Sequence, residues 1–170
     1  MRIIAGTHRG HRIAAPRGLE TRPTSDRVRE AAFNLIGPVD DASVLDLYAG
    51  SGAMGLEALS RGAASCVFVE SSRDACRTID ANLEKLKLHA TVLCQDVARA
   101  LAQERRTFDL LLCDPPYGVD ASRLPFARLL AGDGLLVYES SAREAPPEIE
   151  GLAERTSRTY GSARLTLFTR

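Results

Sequence analysis

The feature that most constrains the fold is a regular alternation, from residue 43 onward, between short apolar runs and stretches with helical spacing. Apolar runs joined by helices are typical of parallel strands in a sheet that is covered on both faces. The pattern therefore predicts a doubly wound α/β domain. The predicted strands are Val44–Tyr48, Cys66–Glu70, Thr91–Cys94, Phe108–Cys113 and Leu135–Glu139, and helices are predicted over Ala53–Arg61 and Ser72–Leu86.

Both ends of the chain depart from this alternation. Residues 2–14 place β-prone stretches on either side of a glycine-bearing turn, which predicts a small N-terminal β-hairpin. A helix capped by Thr24 or Ser25 is expected to follow and to end at Gly37-Pro38. Near the C-terminus, Arg155–Thr159 and Ala163–Phe168 flank Tyr160-Gly161 and predict a hairpin that finishes the sheet with an antiparallel strand.

These elements divide the chain into an N-terminal hairpin with a basic arm, residues 1–23, and an α/β domain, residues 24–170. A chain of 170 residues is long enough for one substantial core. It contains no apolar stretch of the length that a membrane span needs and no secretory signal, so we expect a cytoplasmic protein. The four cysteines form no CxxC pair, so we expect them to be reduced and buried, and we assign no metal site.

The formal net charge is zero, but the charges are unevenly distributed. Residues 1–29 contain seven arginines against only Glu20 and Asp26. A basic arm on a mildly acidic body favours local contact with nucleic-acid phosphates, and the alternative is a solvated charged edge.

The segment from Val44 to Gly55 combines a strand, a glycine-rich turn and the start of a helix, with the spacing GxGxxG at Gly50, Gly52 and Gly55. Glu70 ends the next predicted strand. Taken alone, this pattern fits a dinucleotide site, in which the glycines allow a pyrophosphate to approach the helix and the acid binds a ribose. The alternative is that these glycines only form a tight turn between the strand and the helix and bind no ligand.

Asp46 favours a different cofactor, because a carboxylate just before the glycines repels a pyrophosphate and suits a cation. S-adenosylmethionine carries an ammonium and a sulfonium group, and Glu70 could accept hydrogen bonds from both of its ribose hydroxyls. Asp96 follows the third strand, where an adenine amino group would lie, although it could equally cap a helix. The predicted cofactor residues in this region are Asp46, Tyr48, Ala49, Gly50, Ser51, Gly52, Glu70, Asp96 and Val97.

The sequence Asp114-Pro115-Pro116-Tyr117 follows the fourth predicted strand, so it lies at the carboxyl edge of the sheet near the glycine loop. The prolines present carbonyl acceptors beside the Asp114 carboxylate. Hydrogen bonds from an exocyclic amino group to Asp114 and the Pro115 carbonyl would aim the nitrogen lone pair at the sulfonium methyl, while Tyr117 stacks on the base. These four residues, Pro116 included, are the candidate catalytic set, and an ordinary strand-ending turn is the alternative.

The chain resembles the RsmD-type guanine-N2 methyltransferases of small-subunit ribosomal RNA. The resemblance is carried by RIIAGTHRGHRI at the N-terminus, RPTSDRVREAAFN at 22–34, LDLYAGSGAMGLEALSRGA at 45–63, and DPPY at 114–117. It implies a class I methyltransferase fold and methyl transfer to one guanine N2 in 16S rRNA, on free RNA or on the small subunit particle. The segment after DPPY, with fifteen residues between Gly118 and Gly134, is shorter than the family pattern.

The resemblance also implies roles for residues near the N-terminus. Thr24 and Arg27 would help to close over the methionine end of the cofactor. The implied RNA contacts are Arg2, His8, Arg9, His11, Arg12 and Arg22. Because no separate target-recognition domain is evident, we expect a monomer.

Three other functions remain open on the sequence. DPPY also serves amino methyltransferases that act on adenine N6, on DNA or on a protein glutamine. A NAD-dependent oxidoreductase would explain GxGxxG but not Asp46. A non-catalytic RNA-binding assembly factor could retain the fold without the activity.

Overall fold

The structure, a computed structural model, describes residues 1–18 and 25–170. The helices are α1 (Asp26–Ile36), α2 (Ala53–Ser60), α3 (Arg73–Leu86), α4 (Val97–Gln103) and α5 (Phe126–Leu129). The strands are β1 (Ser43–Leu47), β2 (Ser65–Glu70), β3 (Thr91–Cys94), β4 (Phe108–Cys113), β5 (Leu130–Ser141), β6 (Ala153–Tyr160) and β7 (Ala163–Thr169).

The seven strands form one sheet in the order β3-β2-β1-β4-β5-β7-β6. Strands β1 to β5 pair in parallel, whereas β7 runs antiparallel between β5 and β6. The predicted α/β class and the mostly parallel sheet are confirmed, as is the closing antiparallel hairpin. The strand order reverses next to β1, and the carboxyl ends of β1 and β4 therefore frame the crevice where open α/β sheets bind ligands.

Two apolar clusters cover the two faces of the sheet, as continuous apolar strands require. One contains Phe33 of α1, Leu56 of α2 and Ile79 of α3. The other contains Leu101 of α4 and Phe126 of α5. Side chains alternate between the clusters along each strand, with Val44 in the first and Leu45 in the second.

The structure modifies the predictions in three places. The N-terminal hairpin is reduced to one antiparallel bridge between Arg2 and Arg12, although Ile3 and Ile13 on its two arms are buried in the core. Strand β5 begins at Leu130 rather than Leu135, directly after α5. The prediction that all four cysteines are buried is wrong for Cys94, which is exposed because it ends the edge strand β3.

Within the described ranges, 1–18 and 25–170, no helix has the length and apolarity to cross a membrane.

Candidate active site

Four carboxylates lie along the carboxyl edge of the sheet on neighbouring strands. In sheet order they are Glu70 at the end of β2, Asp46 in β1, Asp114 directly after β4, and Glu139 near the end of β5. Cys113 pairs with Tyr138, so the next residues along the two strands, Asp114 and Glu139, are neighbours. The structure therefore brings together three of the four acids that the sequence assigned to the cofactor and to catalysis, all but Asp96, and adds Glu139 beside them.

The glycine loop is shaped by two glycines with different tasks. Gly52 has φ +79° and is the N-cap of α2, a conformation that disfavours any residue with a Cβ. A Cβ on Gly55 would lie 2.4 Å from the Phe68 ring, so this glycine lets α2 pack closely on β2. Both roles match the fingerprint expected for a nucleotide-binding turn.

Asp46 is only 4% exposed, and its Oδ2 accepts a hydrogen bond of 2.9 Å from the Gly55 backbone N–H. The pKa of Asp46 is raised from 3.8 to about 8, mainly by burial and to a smaller extent by the nearby Asp114 and Glu70 carboxylates, against the lowering effect of the Gly55 bond. A cationic ligand would favour the ionised form. The site therefore suits the positively charged methionine end of S-adenosylmethionine better than a pyrophosphate.

Glu70 links the glycine loop to the end of β2. Its two carboxylate oxygens accept backbone N–H bonds from Gly50, at 2.8 Å, and Ser72, at 3.0 Å. Each oxygen keeps further acceptor capacity for a ribose hydroxyl. The loop is also held by a bond of 3.1 Å from the Ala49 N–H to the Val69 carbonyl.

The structure also shows the local environment of three other predicted cofactor residues. Asp96 caps α4 by accepting a 3.1 Å bond from the Arg99 N–H, which confirms the helix-cap interpretation of this residue. Its contact with adenine stays a prediction. Val97 is buried at the start of the same helix. Tyr48 has φ +56° and is partly buried, which raises the pKa of its phenol to about 12.

Asp114 and Tyr117 of the candidate catalytic segment line a cavity of about 270 Å³, whereas Pro115 and Pro116 line a neighbouring cavity of about 280 Å³ that Tyr117 and Glu139 also line. Asp114 is partly buried, Pro115 is buried, and Tyr117 is 68% exposed, the largest exposure of any large hydrophobic side chain in the described residues. Pro116 is also exposed. The first of these cavities is lined by Ser25, Val28, Asp114, Tyr117, Glu139, Ser140, Tyr160, Gly161, Ser162 and Ala163.

Most of this cavity could not be predicted from the sequence, since its walls come from the start of α1, the end of β5 and the β6–β7 turn. Only tertiary structure brings these segments to Asp114. One signal was available for Glu139, because it ends the apolar run of β5 as Glu70 ends that of β2.

The N-terminal arm is attached to the glycine-loop region by two buried polar residues that the sequence did not single out. Glu57 of α2 accepts the backbone N–H groups of Ile4 and Ala5 at 2.9 and 3.0 Å. Asn82 of α3 bonds both the N–H and the carbonyl of Ala14, and it donates to the Ser51 carbonyl at 3.1 Å. These bonds hold residues 4, 5 and 14 of the arm in place beside the glycine loop.

Glu57 also forms the centre of a buried charge network. Its Oε2 lies 3.5 Å from Arg29 Nε, and both side chains are 0% exposed. Arg61 Nε donates to Oε1 at 2.9 Å, and Arg29 also bonds Asp26 and the Arg2 carbonyl. The network joins α1, α2 and the arm at one point.

The structure places the predicted RNA contacts on the arm with different exposure. Arg2, Arg9, His11 and Arg12 are exposed, and so is the predicted cofactor residue Arg27 on α1. His8 is partly buried, and its two ring nitrogens bond Thr7 Oγ1 and the Leu86 carbonyl, each at 2.9 Å. Arg22 and Thr24 lie outside the described residues.

Comparison with known proteins identifies the family. The sequence profile of a family described as conserved hypothetical protein 95 matches residues 1–169. YlbH of Bacillus subtilis, provisionally named an rRNA methyltransferase, is 39% identical over 180 residues, which cover 99% of this chain and 98% of YlbH. Ribosomal RNA small subunit methyltransferase D of Escherichia coli K12 is 43% identical over 119 residues, or 69% of this chain and 60% of that protein. The chain belongs to the RsmD-type family.

Solved structures agree with the RsmD-type assignment. A provisionally named E. coli methyltransferase, yhhF, is 35% identical with a TM-score of 0.89, over 100% of this chain and 97% of that chain. A Thermus thermophilus N2 G1207 methyltransferase of 16S rRNA, RsmC, solved with AdoMet and guanosine, has a TM-score of 0.69 at 24% identity over 91% of this chain and 44% of that chain, which shows the fold alone. The predicted RsmD-type family and its cofactor, S-adenosylmethionine, are confirmed at the level of the family.

Proposed function

We propose that this protein transfers the methyl group of S-adenosylmethionine to the exocyclic N2 amino group of one guanine in 16S ribosomal RNA. The observation that carries the proposal is the shared cavity of Asp114 and Tyr117, one strand away from the buried Asp46. Membership of the RsmD-type family, and the small-subunit rRNA activity named for its E. coli and Haemophilus influenzae members, support the ribosomal substrate.

The cofactor would lie on the half of the edge formed by Asp46, Glu70 and the glycine loop. Asp46 would face its positive charge, Glu70 would accept from the ribose hydroxyls, and Asp96 would accept from the adenine amino group. S-adenosylmethionine supplies a methyl group on a positively charged sulfur. That sulfur is a good leaving group, because it departs as a neutral thioether. We place Thr24 and Arg27 beside the methionine end, as the family resemblance implies.

The chain itself contributes positioning and electrostatics to the reaction. Asp114 and the Pro115 carbonyl accept hydrogen bonds from the two amino hydrogens, so the nitrogen lone pair points toward the sulfur-bound methyl. The new nitrogen–carbon bond forms as the carbon–sulfur bond breaks, and the surplus proton passes from the methylated nitrogen to Asp114 or water. No strong base is needed, because the methylated ammonium is far more acidic than an amine.

Tyr117 and the N-terminal arm would hold the RNA. An exposed aromatic ring beside Asp114 offers a stacking face to a base that has left its helix. Arg2, Arg9 and Arg12 lie exposed on an arm that Glu57 and Asn82 fix beside the glycine loop, and we assign them to RNA phosphates. His8, His11 and Arg22 complete the proposed RNA surface.

The test is methyl transfer from labelled S-adenosylmethionine to unmodified small subunits, protein-free 16S rRNA and duplex DNA, assayed in parallel. Digestion and mass spectrometry identify the modified nucleoside, and fragment mapping identifies its position. We expect N2-methylguanosine at one position of the ribosomal RNA and its loss in Asp114→Ala, with Asp133→Ala, an exposed acid at the far end of β5, as the matched control.

Three results would contradict this function. Formation of N6-methyladenine, or label in DNA, would assign the protein to another class of amino methyltransferase. RNA binding without methyl transfer to any of the three substrates, unchanged in Asp114→Ala, would favour a non-catalytic assembly factor.

A further inference from the structure

Two acids share the cavity in which the target base is proposed to bind. Asp114 follows β4 and Glu139 lies in β5, and the pairing of Cys113 with Tyr138 puts these acids side by side at the ends of adjacent parallel strands. Neighbouring strands are about 4.8 Å apart. The two carboxylates can therefore reach adjacent atoms along one edge of a single base.

The alternation of side chains puts both acids on the same face of the sheet. Leu112 and Val137, two residues before Asp114 and Glu139, both belong to the cluster that α1, α2 and α3 cover. The intervening residues Cys113 and Tyr138 belong to the opposite cluster. Since side chains two residues apart point to the same face, Asp114 and Glu139 face the same side of the strand ends.

The nucleic-acid bases that carry an exocyclic amino group differ in the atom beside it. In guanine the neighbouring ring nitrogen, N1, carries a hydrogen, so the edge offers two adjacent donor groups. In adenine and cytosine the neighbouring ring nitrogen is an unprotonated acceptor. A second acceptor in the protein would complement guanine and would repel the other two bases.

We propose that Glu139 selects guanine: its carboxylate accepts the N1–H group while Asp114 accepts from the N2 amino group. This inference rests on the proposed function and names the residue that gives it base specificity. Adenine or cytosine, bound with its amino group at Asp114, would present a lone pair to the Glu139 carboxylate. That arrangement loses a hydrogen bond and adds repulsion, which is how a polar site rejects the wrong ligand.

The other polar side chains of the cavity cannot make this distinction. They are hydroxyls, which donate as readily as they accept, whereas an ionised carboxylate only accepts. The cavity hydroxyls among the described residues belong to Ser25, Tyr117, Ser140, Tyr160 and Ser162. Among the described side chains of the cavity, only Asp114 and Glu139 are therefore pure acceptors. Since Asp114 is assigned to the amino group, Glu139 is the one that can distinguish a protonated N1 from an unprotonated N1.

The experiment compares guanine with 2-aminopurine at the mapped target position in ligated, reconstituted small subunits. 2-Aminopurine keeps the 2-amino group but has no hydrogen on N1. We expect the wild-type protein to prefer guanine by about 100-fold in kcat/KM. In Glu139→Gln this preference should fall at least about tenfold, because an amide can accept from N1–H or donate to an unprotonated N1.

Several controls separate the possible causes. The loss of O6 in 2-aminopurine affects both proteins equally, so the change in the ratio isolates position 139. Glu154→Gln, an exposed acid of β6 outside the cavity, should keep the wild-type ratio. S-adenosylmethionine affinity measured by calorimetry should be the same in Glu139→Gln and the wild type.

An unchanged preference in Glu139→Gln would overturn the inference and leave the proposed function intact. Equal transfer to guanine and 2-aminopurine by the wild-type protein would also overturn the role of Glu139, whether or not Glu139→Gln folds. If the wild-type protein forms no N2-methylguanosine on unsubstituted particles, the proposed function itself fails, and that result is seen before any variant is made.

Discussion

The two halves of the sheet's carboxyl edge are built in different ways. In the half proposed for the cofactor, Asp46 accepts the backbone N–H of Gly55, and Glu70 accepts those of Gly50 and Ser72, all within residues 46–72. The other half, here called the acceptor half, is the cavity around Asp114, where the methyl-accepting base is proposed to bind. The cavity is lined by residues from four segments that are far apart in sequence. The centre of the first half is therefore one local segment, to which Thr24, Arg27 and Asp96 are proposed to add, whereas the second half has no such local centre.

This difference matches what each half would bind. The cofactor is one invariant small molecule, and rigid, backbone-bonded acceptors suit it because little reorganisation is needed on binding. The proposed target base would arrive as part of a large RNA, and the cavity proposed for it is open, carries the exposed Tyr117 ring and has the basic arm nearby.

The largest effect is expected in the acceptor half. Replacing Asp114 with alanine removes the acceptor that aims the amino group, and we expect kcat for methyl transfer to fall about 10²- to 10³-fold, the range found when one preorganised polar group is lost from an active site. Single-turnover assays with saturating cofactor measure this effect. Wild-type activity in Asp114→Ala would contradict the proposed role of Asp114 in positioning the amino group.

The attachment of the arm to the body depends on Glu57. In Glu57→Gln the buried Arg29 loses its fully buried carboxylate partner, so we expect the free energy of unfolding to fall by about 3 kcal/mol. Urea denaturation followed by circular dichroism measures the change. The matched control is Glu84→Gln on the exposed face of α3, where a loss as large as that of Glu57→Gln would contradict the role of the buried network.

In the cofactor half, Asp46→Asn keeps an acceptor for the Gly55 N–H but cannot ionise. We expect S-adenosylmethionine to bind about 10- to 100-fold more weakly, a loss typical of a charge-assisted contact. In the wild type, the bound cationic cofactor should lower the Asp46 pKa from about 8, so that binding releases a proton. The affinity for S-adenosylmethionine should therefore rise as the pH increases from 6 to 8. Calorimetry across this range should show a smaller rise for Asp46→Asn.

The same residue should affect the stability of the free protein. Its folded pKa of about 8 lies above the usual 3.8, so the contribution of Asp46 to stability is complete below about pH 4 and is lost as pH rises through 8. Asp46→Asn should remove this part of the pH dependence in thermal melts. Parallel wild-type and variant profiles would show that Asp46 does not titrate in this range.

Stacking in the acceptor half should have a moderate effect. Tyr117→Ala should raise KM for the RNA about tenfold, since stacking of one base on an aromatic side chain is worth about 1–3 kcal/mol. Tyr117→Phe keeps the ring and should stay within about twofold of the wild type. Equal losses in the two variants would assign the hydroxyl, rather than the ring, to the function.

The smallest effect is expected for single arginines of the arm. Arg9→Ala or Arg12→Ala should weaken RNA binding only a few-fold and reduce the slope of log affinity against log salt concentration by about 1. Filter binding at several salt concentrations measures both quantities. A sharp loss confined to one RNA sequence would indicate a base contact instead of a phosphate contact.

The position of Asp46, Glu70 and the glycine turn at the sheet edge could be predicted from sequence because they are strand-ending acids and glycines within one segment, and their contact with the cofactor stays a prediction. The spacing of Gly50, Gly52 and Gly55 indicated the turn, and the structure confirms the α/β sheet around it. The place of Asp114 and Tyr117 after β4 could be predicted for the same reason, since they belong to one short segment at a strand end, and their catalytic roles stay a prediction.

The remaining features depend on contacts that no local pattern records. Glu139 reaches the site only because β5 lies beside β4, and Tyr160 only because the β6–β7 turn lies above the same strand ends. Asn82 has the helical spacing of an apolar face, yet it bonds the arm. Cys94 has an apolar strand around it but is exposed, since its strand is at the edge of the sheet.

The most direct test of the division into two halves is the affinity of S-adenosylmethionine for Asp46→Asn and Asp114→Ala, measured by titration calorimetry against the wild type at pH 8. The account predicts that Asp46→Asn binds the cofactor at least about tenfold more weakly and that Asp114→Ala binds it within about threefold of the wild type. Equal weakening in both variants would show that Asp114 belongs to the cofactor site and would contradict the division.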